Sequence, residues 1–239
     1  MKINGEDISI WNARQWTVDI EHNEIKNDSE WVRGSPVPAF FSNTLDFKTI
    51  KVTLLVKGQS REEIEKNRSD IVAELIDPVI LELDMFDHKF KAILIKSSVT
   101  ENVIKRMHQL VLEFSGYEFG DEISSTFSGT DTITIENPGN LETPVILEIV
   151  PQIGASTVVF EGLCRDPETK DNQDITIREL SKDKKIILNS ETGLITEDGA
   201  NKFKDVDLWE LPSLLPGTNI IKCSTKNLEI TVKFKPMFI

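Results

Sequence analysis

Chemistry in this chain would have to come from its carboxylates and its three histidines. With 40 Asp and Glu among 239 residues, acidic pairs are plentiful, and two stand out by position. Glu62-Glu63 is one, and Asp205 with Asp207 just before Trp209 is the other. Glycoside hydrolysis needs two carboxyl groups flanking the scissile bond, in environments that separate their pKa values. Glu62-Glu63 instead falls in the first turn of a helix opened by Ser60, where acids favour the macrodipole and complete a cap. His22, His88 and His108 lie far apart, without the Cys or carboxylate spacing of a zinc site. No G-x-S-x-G, Walker-type Gly-Lys-Ser/Thr or H-E-x-x-H motif occurs. The glycines are scattered through turns rather than gathered into a phosphate cradle. No catalytic, cofactor-binding or metal-ligating set emerges, and a protein without enzymatic activity is expected.

Two other stretches are candidates for binding partners. Trp31, Val32, Pro36, Pro38, Phe40 and Phe41 lie in an apolar, proline-containing segment with poor periodicity. It reads either as a loop covering the core or as an arm packing on a neighbouring subunit, since exposed aromatic segments mark interfaces. Arg165, Asp166, Glu168, Lys170 and Asp171 belong to a stretch, Arg165–Asp174, too charged for a strand and expected to be a surface loop. Trp209 could offer a platform for a sugar, but its spacing to Leu211 suits an anchor into a hydrophobic core.

The elements that must position these residues can be read from periodicity. Ile50, Val52, Leu54 and Val56 alternate with Lys51, Thr53, Leu55 and Lys57, which puts one face of a strand inward. Ser60 and Glu63 have capping-box spacing, and Ile64, Ile71, Val72 and Leu75 form a helical stripe ended by Asp77-Pro78. Further strands are expected over 79–83, 90–95 and 107–114, giving an α+β first half with one helix. The polar stretch Asp121–Thr130 reads as a linker. Beyond it, short runs at 133–135, 145–150, 157–160, 175–179, 185–188, 220–223 and 228–234 are bounded by turn residues, the rhythm of an antiparallel sandwich. Asn137-Pro138-Gly139-Asn140 marks a turn into this half, and Pro216-Gly217 marks a tight turn between its final strands. Domains of 1–128 and 129–239 follow.

Bulk properties narrow the class. The formal net charge is -13, spread over both halves, which argues against wrapping nucleic acid. An acidic wall could still line a passage through which DNA slides. No apolar run approaches the roughly 20 residues of a membrane span, and no signal peptide is visible. Cys164 and Cys223 are expected to be buried free thiols.

The order of several short motifs resembles the distal tail proteins of long-tailed bacteriophages. They are Ile3-Asn4-Gly5-Glu6-Asp7, the strand–helix–strand over 51–83, and Phe114-Ser115-Gly116-Tyr117 at a strand exit. Asn137-Pro138-Gly139-Asn140, the stretch Asn189–Gly193 and Leu215-Pro216-Gly217-Thr218-Asn219 follow. The resemblance implies a mainly β chain: a tail-tube-like sandwich or barrel with one helix, then a galectin-like antiparallel sandwich. It implies a structural hub, a homohexameric ring joining the tail tube to tail-tip, receptor-binding or baseplate proteins, through which DNA passes. The expected location is the virion tail tip, after synthesis in the bacterial cytoplasm. The chain is short for this family and Arg165–Asp174 is its one sizeable candidate arm, so a simple tip is expected. The alternative reading is a glycan-binding sandwich module that aids adsorption.

Overall fold

The computed structural model describes residues 1–239 apart from 102–105, 167, 168 and 170. The chain divides into two compact units, Met1–Phe119 with Ile239, and Gly120–Phe238.

The first unit begins with β1 (Lys2–Ile3), β2 (Glu6–Asp7), β3 (Ala13–Glu21), β4 (Ile25–Glu30), β5 (Ala39–Leu45) and β6 (Lys48–Lys57). Helix α1 (Arg61–Ala73) follows, then β7 (Val79–Glu82), β8 (Lys89–Glu101) and β9 (Met107–Phe119). The strands order as β2-β1-β7-β8-β9-β6-β3, with antiparallel pairing throughout. Alternation in β6 turns Ile50, Val52, Leu54 and Val56 into the core, where they meet Ile64 and Ile71 of α1 and Phe114 of β9. Ser60 caps α1 by accepting from the Glu63 amide at 3.2 Å, and the Glu63 carboxylate accepts from the Gln59 amide at 2.7 Å. The helix stops at Glu74, before Asp77-Pro78. Strand β9 runs through Phe114–Tyr117 rather than ending there. Gly116 permits this: a Cβ on it would lie 2.4 Å from the Lys91 carbonyl oxygen and 2.7 Å from Ala92 Cβ.

The second unit contains β10 (Ile123–Ser128), β11 (Thr132–Asn137), β12 (Thr143–Pro151), β13 (Ala155–Arg165), β14 (Asn172–Leu180) and β15 (Ile186–Asn189). It continues with β16 (Leu194–Glu197), β17 (Ala200–Asn201), β18 (Val206–Asp207), β19 (Ser213–Leu214), β20 (Gly217–Cys223) and β21 (Leu228–Phe234). One sheet orders β10-β21-β12-β15-β16-β17, with β19 on the start of β12; the other orders β11-β20-β13-β14-β18. Inward residues of both, among them Leu147, Ile149, Ile230 and Val232 from one and Phe160, Ile175, Ile177 and Ile221 from the other, share a single core. This is a two-sheet sandwich.

Three expectations need correction here. The polar stretch read as a linker forms β10, which pairs with β21 from Ile123↔Phe234 to Ser128↔Glu229. Its edge position lets the backbone ladder form without an apolar sequence. Pro216-Gly217, with Gly217 at φ +81, leads from β19 into β20, and β20 and β21 then lie in opposite sheets. Arg165 and Asn172–Asp174 are strand residues of β13 and β14 rather than loop. The β13–β14 hairpin pairs Arg165 with Asn172, so backbone pairing overrides the charge of the side chains.

Candidate functional site

The segment with the clustered aromatics forms a two-stranded hairpin of β4 and β5 that, among the described residues, joins no other sheet. Every residue of β4 is exposed, and in β5 only Ala39 is half-buried. The pairing slips between Asp28 and Ser29: Asp28 opposes Ser42 and Ser29 opposes Phe40, which leaves Phe41 as the extra residue of a bulge. Trp31, Phe40 and Phe41 are 65%, 73% and 61% exposed, and Val32 and Pro36 are exposed beside a half-buried Pro38. The reading of these residues as a core-covering loop is therefore set aside.

The base of the hairpin is clamped. The Asp46 amide donates to the Glu24 carbonyl at 2.9 Å, and Asn23 Nδ2 donates to the Asp46 carbonyl at 2.6 Å. The Asp46 carboxylate pairs with Lys26 and accepts from the Phe47 amide. Its pKa is lowered by the hydrogen bond from Lys26, then by the Phe47 amide. Lys48, the next strand residue, is buried and paired with Glu118, which also meets His88 Nδ1 at 2.6 Å. Burial alone would push the Glu118 carboxyl up; hydrogen bonds and charge from Lys48 and His88 outweigh it and hold the pKa low. An exposed aromatic arm thus rises from a base fixed by ion pairs and backbone contacts.

The second candidate set is split by the structure. Arg165 ends β13, half-buried, and Asp166 follows it; both line a cavity in the sandwich unit. The Asp166 amide donates to the Asp171 carbonyl at 2.9 Å. Glu168 and Lys170 lie outside the described residues. Trp209 is 66% exposed, which corrects its reading as a core anchor: Val206, in register with Ile177, and Leu214 fill the core around it instead.

Four of the residues weighed for catalysis have structural partners. Glu63 belongs to the helix cap, Asp205 lies 3.6 Å from Lys202, and Asp207 pairs with Arg178. His108 is buried with Nδ1 3.1 Å from an Arg68 guanidinium nitrogen. Cys164 and Cys223 are buried free thiols, and burial pushes the Cys223 thiol up. Among the described residues no group of three His, Cys, Asp or Glu could hold a metal ion, and no helix is long and apolar enough to cross a membrane.

No protein-family model matches the sequence, and no curated protein does. Solved structures do. The SPP1 Dit (gp 19.1) protein, a paradigm of the hub adsorption apparatus in phages infecting Gram-positive bacteria, superposes with a TM-score of 0.79 at 13% identity, covering 99% of this chain and 98% of that one. This chain has the Dit fold. Chains of the phage p2 baseplate in its activated conformation, with Sr and with Ca, give TM-scores of 0.53 and 0.51, each at 13% identity and covering 98% of this chain and 94% of that one. The Dit fold extends over both units, so the mainly β architecture expected from the motifs is correct.

Proposed function

We propose that this chain is a structural hub of a phage tail tip, assembling as a homohexameric ring that joins the tail tube to tail-tip and receptor-binding or baseplate proteins. The observation that carries the reading is end-to-end agreement with a Dit hub over both units. The hairpin supports self-association, because three aromatics on an arm clamped at its base present an exposed apolar surface. In this reading the first unit closes the ring, the second projects from it, and DNA transits the centre without a reaction step. The protein is made in the bacterial cytoplasm and works in the virion.

An acidic lumen is not needed. On the open face of the first unit, Asp19 opposes Lys51, Lys51 opposes Glu113, and Glu113 opposes Lys96, a row of alternating sign across four strands. This row carries two charges of each sign, so a lumen it lined would not be uniformly acidic.

The test is the Phe40→Ser, Phe41→Ser double variant, read by native mass spectrometry. With Phe40 and Phe41 73% and 61% exposed, at roughly 200 Å² per side chain and 25 cal/mol per Å², covering both is worth at most about 7 kcal/mol per contact. The variant should lose the six-chain mass while keeping its circular dichroism spectrum. An unchanged six-chain mass would remove the hairpin from the ring contact.

A further inference from the structure

Among the described residues, the sandwich of the second unit ends in edge strands β10 and β17 of one sheet and β11 and β18 of the other. An edge strand offers unpaired N–H and C=O groups, and native proteins blunt it with charge, proline, a bulge or shortness. Strands β17 and β18 are two residues each. Strand β11 carries Glu136, and its inward Ile133 and Ile135 are already buried. Strand β10 has none of these devices. It holds six residues without a charge or a proline. Its register on β21 runs without a shift from Ile123↔Phe234 to Ser128↔Glu229. Half of the backbone groups of such a strand, about three N–H and three C=O, point away from the strand it pairs with.

The core-facing side of β10 is also unfinished. Ile123, Ser125 and Phe127 alternate inward, and Ile123 and Phe127 pack on the core while only half-buried. Their partners on β21, Phe234, Val232 and Ile230, are buried. One more strand beyond β10 would cover Ile123 and Phe127 and pair the outward backbone groups. Ser124, Thr126 and Ser128 take the solvent face, where the Thr126 and Thr231 hydroxyls lie 2.9 Å apart.

Charge selects the occupant. Glu122 directly precedes β10, and Glu229 stands beside Ser128 at the other end; both are exposed. The lysines nearby are engaged: Lys226 with Asp131, Lys233 with Glu148 and Lys235 with Glu191. A second copy of the chain is disfavoured. Antiparallel pairing of two β10 strands would gather Glu122 of one copy and Glu229 of the other at each end, and each copy carries a formal charge of -13. What fits is an extended segment of another protein, with apolar residues alternating against Ser or Thr and a basic residue at each end.

We propose that the free edge of β10 binds such a basic, extended segment of a partner protein as an added strand. Ring closure is not involved, so this reading and the hub reading can fail separately. Fluorescence anisotropy on the full chain tests it, with a labelled peptide Lys-Val-Thr-Val-Thr-Val-Lys and the same peptide ending in Glu on both sides. The Lys-ended peptide should bind saturably in the micromolar range and slow hydrogen exchange in β10, not in β11. The Glu-ended one should bind about tenfold more weakly or worse. The Ser124→Lys, Thr126→Lys double variant puts charges of the peptide's own sign on the exposed face of the edge. It should weaken the Lys-ended peptide by about tenfold or more, with melting temperature and solution mass unchanged. The proposal is overturned if the Lys-ended peptide does not bind at hundreds of micromolar, or if the Glu-ended one binds as tightly. It is equally overturned if the double variant binds as well as the natural chain, or if exchange slows elsewhere and not in β10. A double variant that loses a multimeric mass overturns it in favour of self-pairing through β10.

Discussion

Replacing Asn137 by Ala should unlock the sandwich from the side where its two proline turns meet. Asn137 is 1% exposed, and its side chain joins the Asn-Pro-Gly-Asn turn to the strand leading into Pro216-Gly217. Nδ2 lies 3.2 Å from Thr143 Oγ1, 3.2 Å from the Leu215 carbonyl and 3.4 Å from the Leu214 carbonyl, while Oδ1 accepts from the Gly139 amide at 3.0 Å. With two N–H groups and one acceptor in use, about three hydrogen bonds are lost, at about 1 kcal/mol each, and the buried Gly139 N–H is left unpaired for about 1–3 kcal/mol more. The expected cost is at least about 4 kcal/mol, a large share of an ordinary domain's stability of about 5–15 kcal/mol. Native-state hydrogen exchange reads it directly. Amides of β12 and β21 should lose about 4 kcal/mol of protection, while those of β6 and β9 in the first unit keep theirs. A loss below about 1 kcal/mol would refute the assignment of the two turns to one buried network.

Two further predictions concern packing and pH. Gly116→Ala puts a Cβ into the backbone of β8, so β8 and β9 must separate; a loss of about 2 kcal/mol or more, seen as a lower melting temperature, is expected. Glu148 is hydrogen-bonded by Lys185 at 2.5 Å and Lys233 at 2.7 Å, and although burial pushes its carboxyl up, the two lysines together hold it below the ordinary 4.5. A depressed carboxylate contributes stability that is present above the unfolded pKa and lost as pH falls through the folded one. Glu148→Gln should therefore destabilise the protein at neutral pH and flatten its acid-side stability curve below about pH 4.5, both measurable by urea unfolding across pH.

What could be read from the sequence follows where the physics is local. The Ser60–Glu63 cap and the alternation in β6, β12 and β21 set backbone state and buried face within a few residues, and the structure has them there. Elements paired only through backbone were invisible. β10 is built from Ile123 and Phe127 among serines and a threonine, and β17, β18 and β19 are two residues each, too short to show a period. The β4–β5 hairpin escaped because it buries neither face, so no apolar alternation marks it; its aromatic content was the one available signal. The pairing of Asn137 with the Leu214–Leu215 carbonyls depends on contacts dozens of residues apart. Only the assembled sandwich shows it.

The measurement that bears most directly on the hub reading is single-particle imaging of the purified full chain, with its solution mass taken on the same sample. The hub reading predicts rings of six chains around an open centre, with the second unit at the periphery. A single-chain particle at every concentration, and no ring when the chain is mixed with a tail tube end, would contradict it.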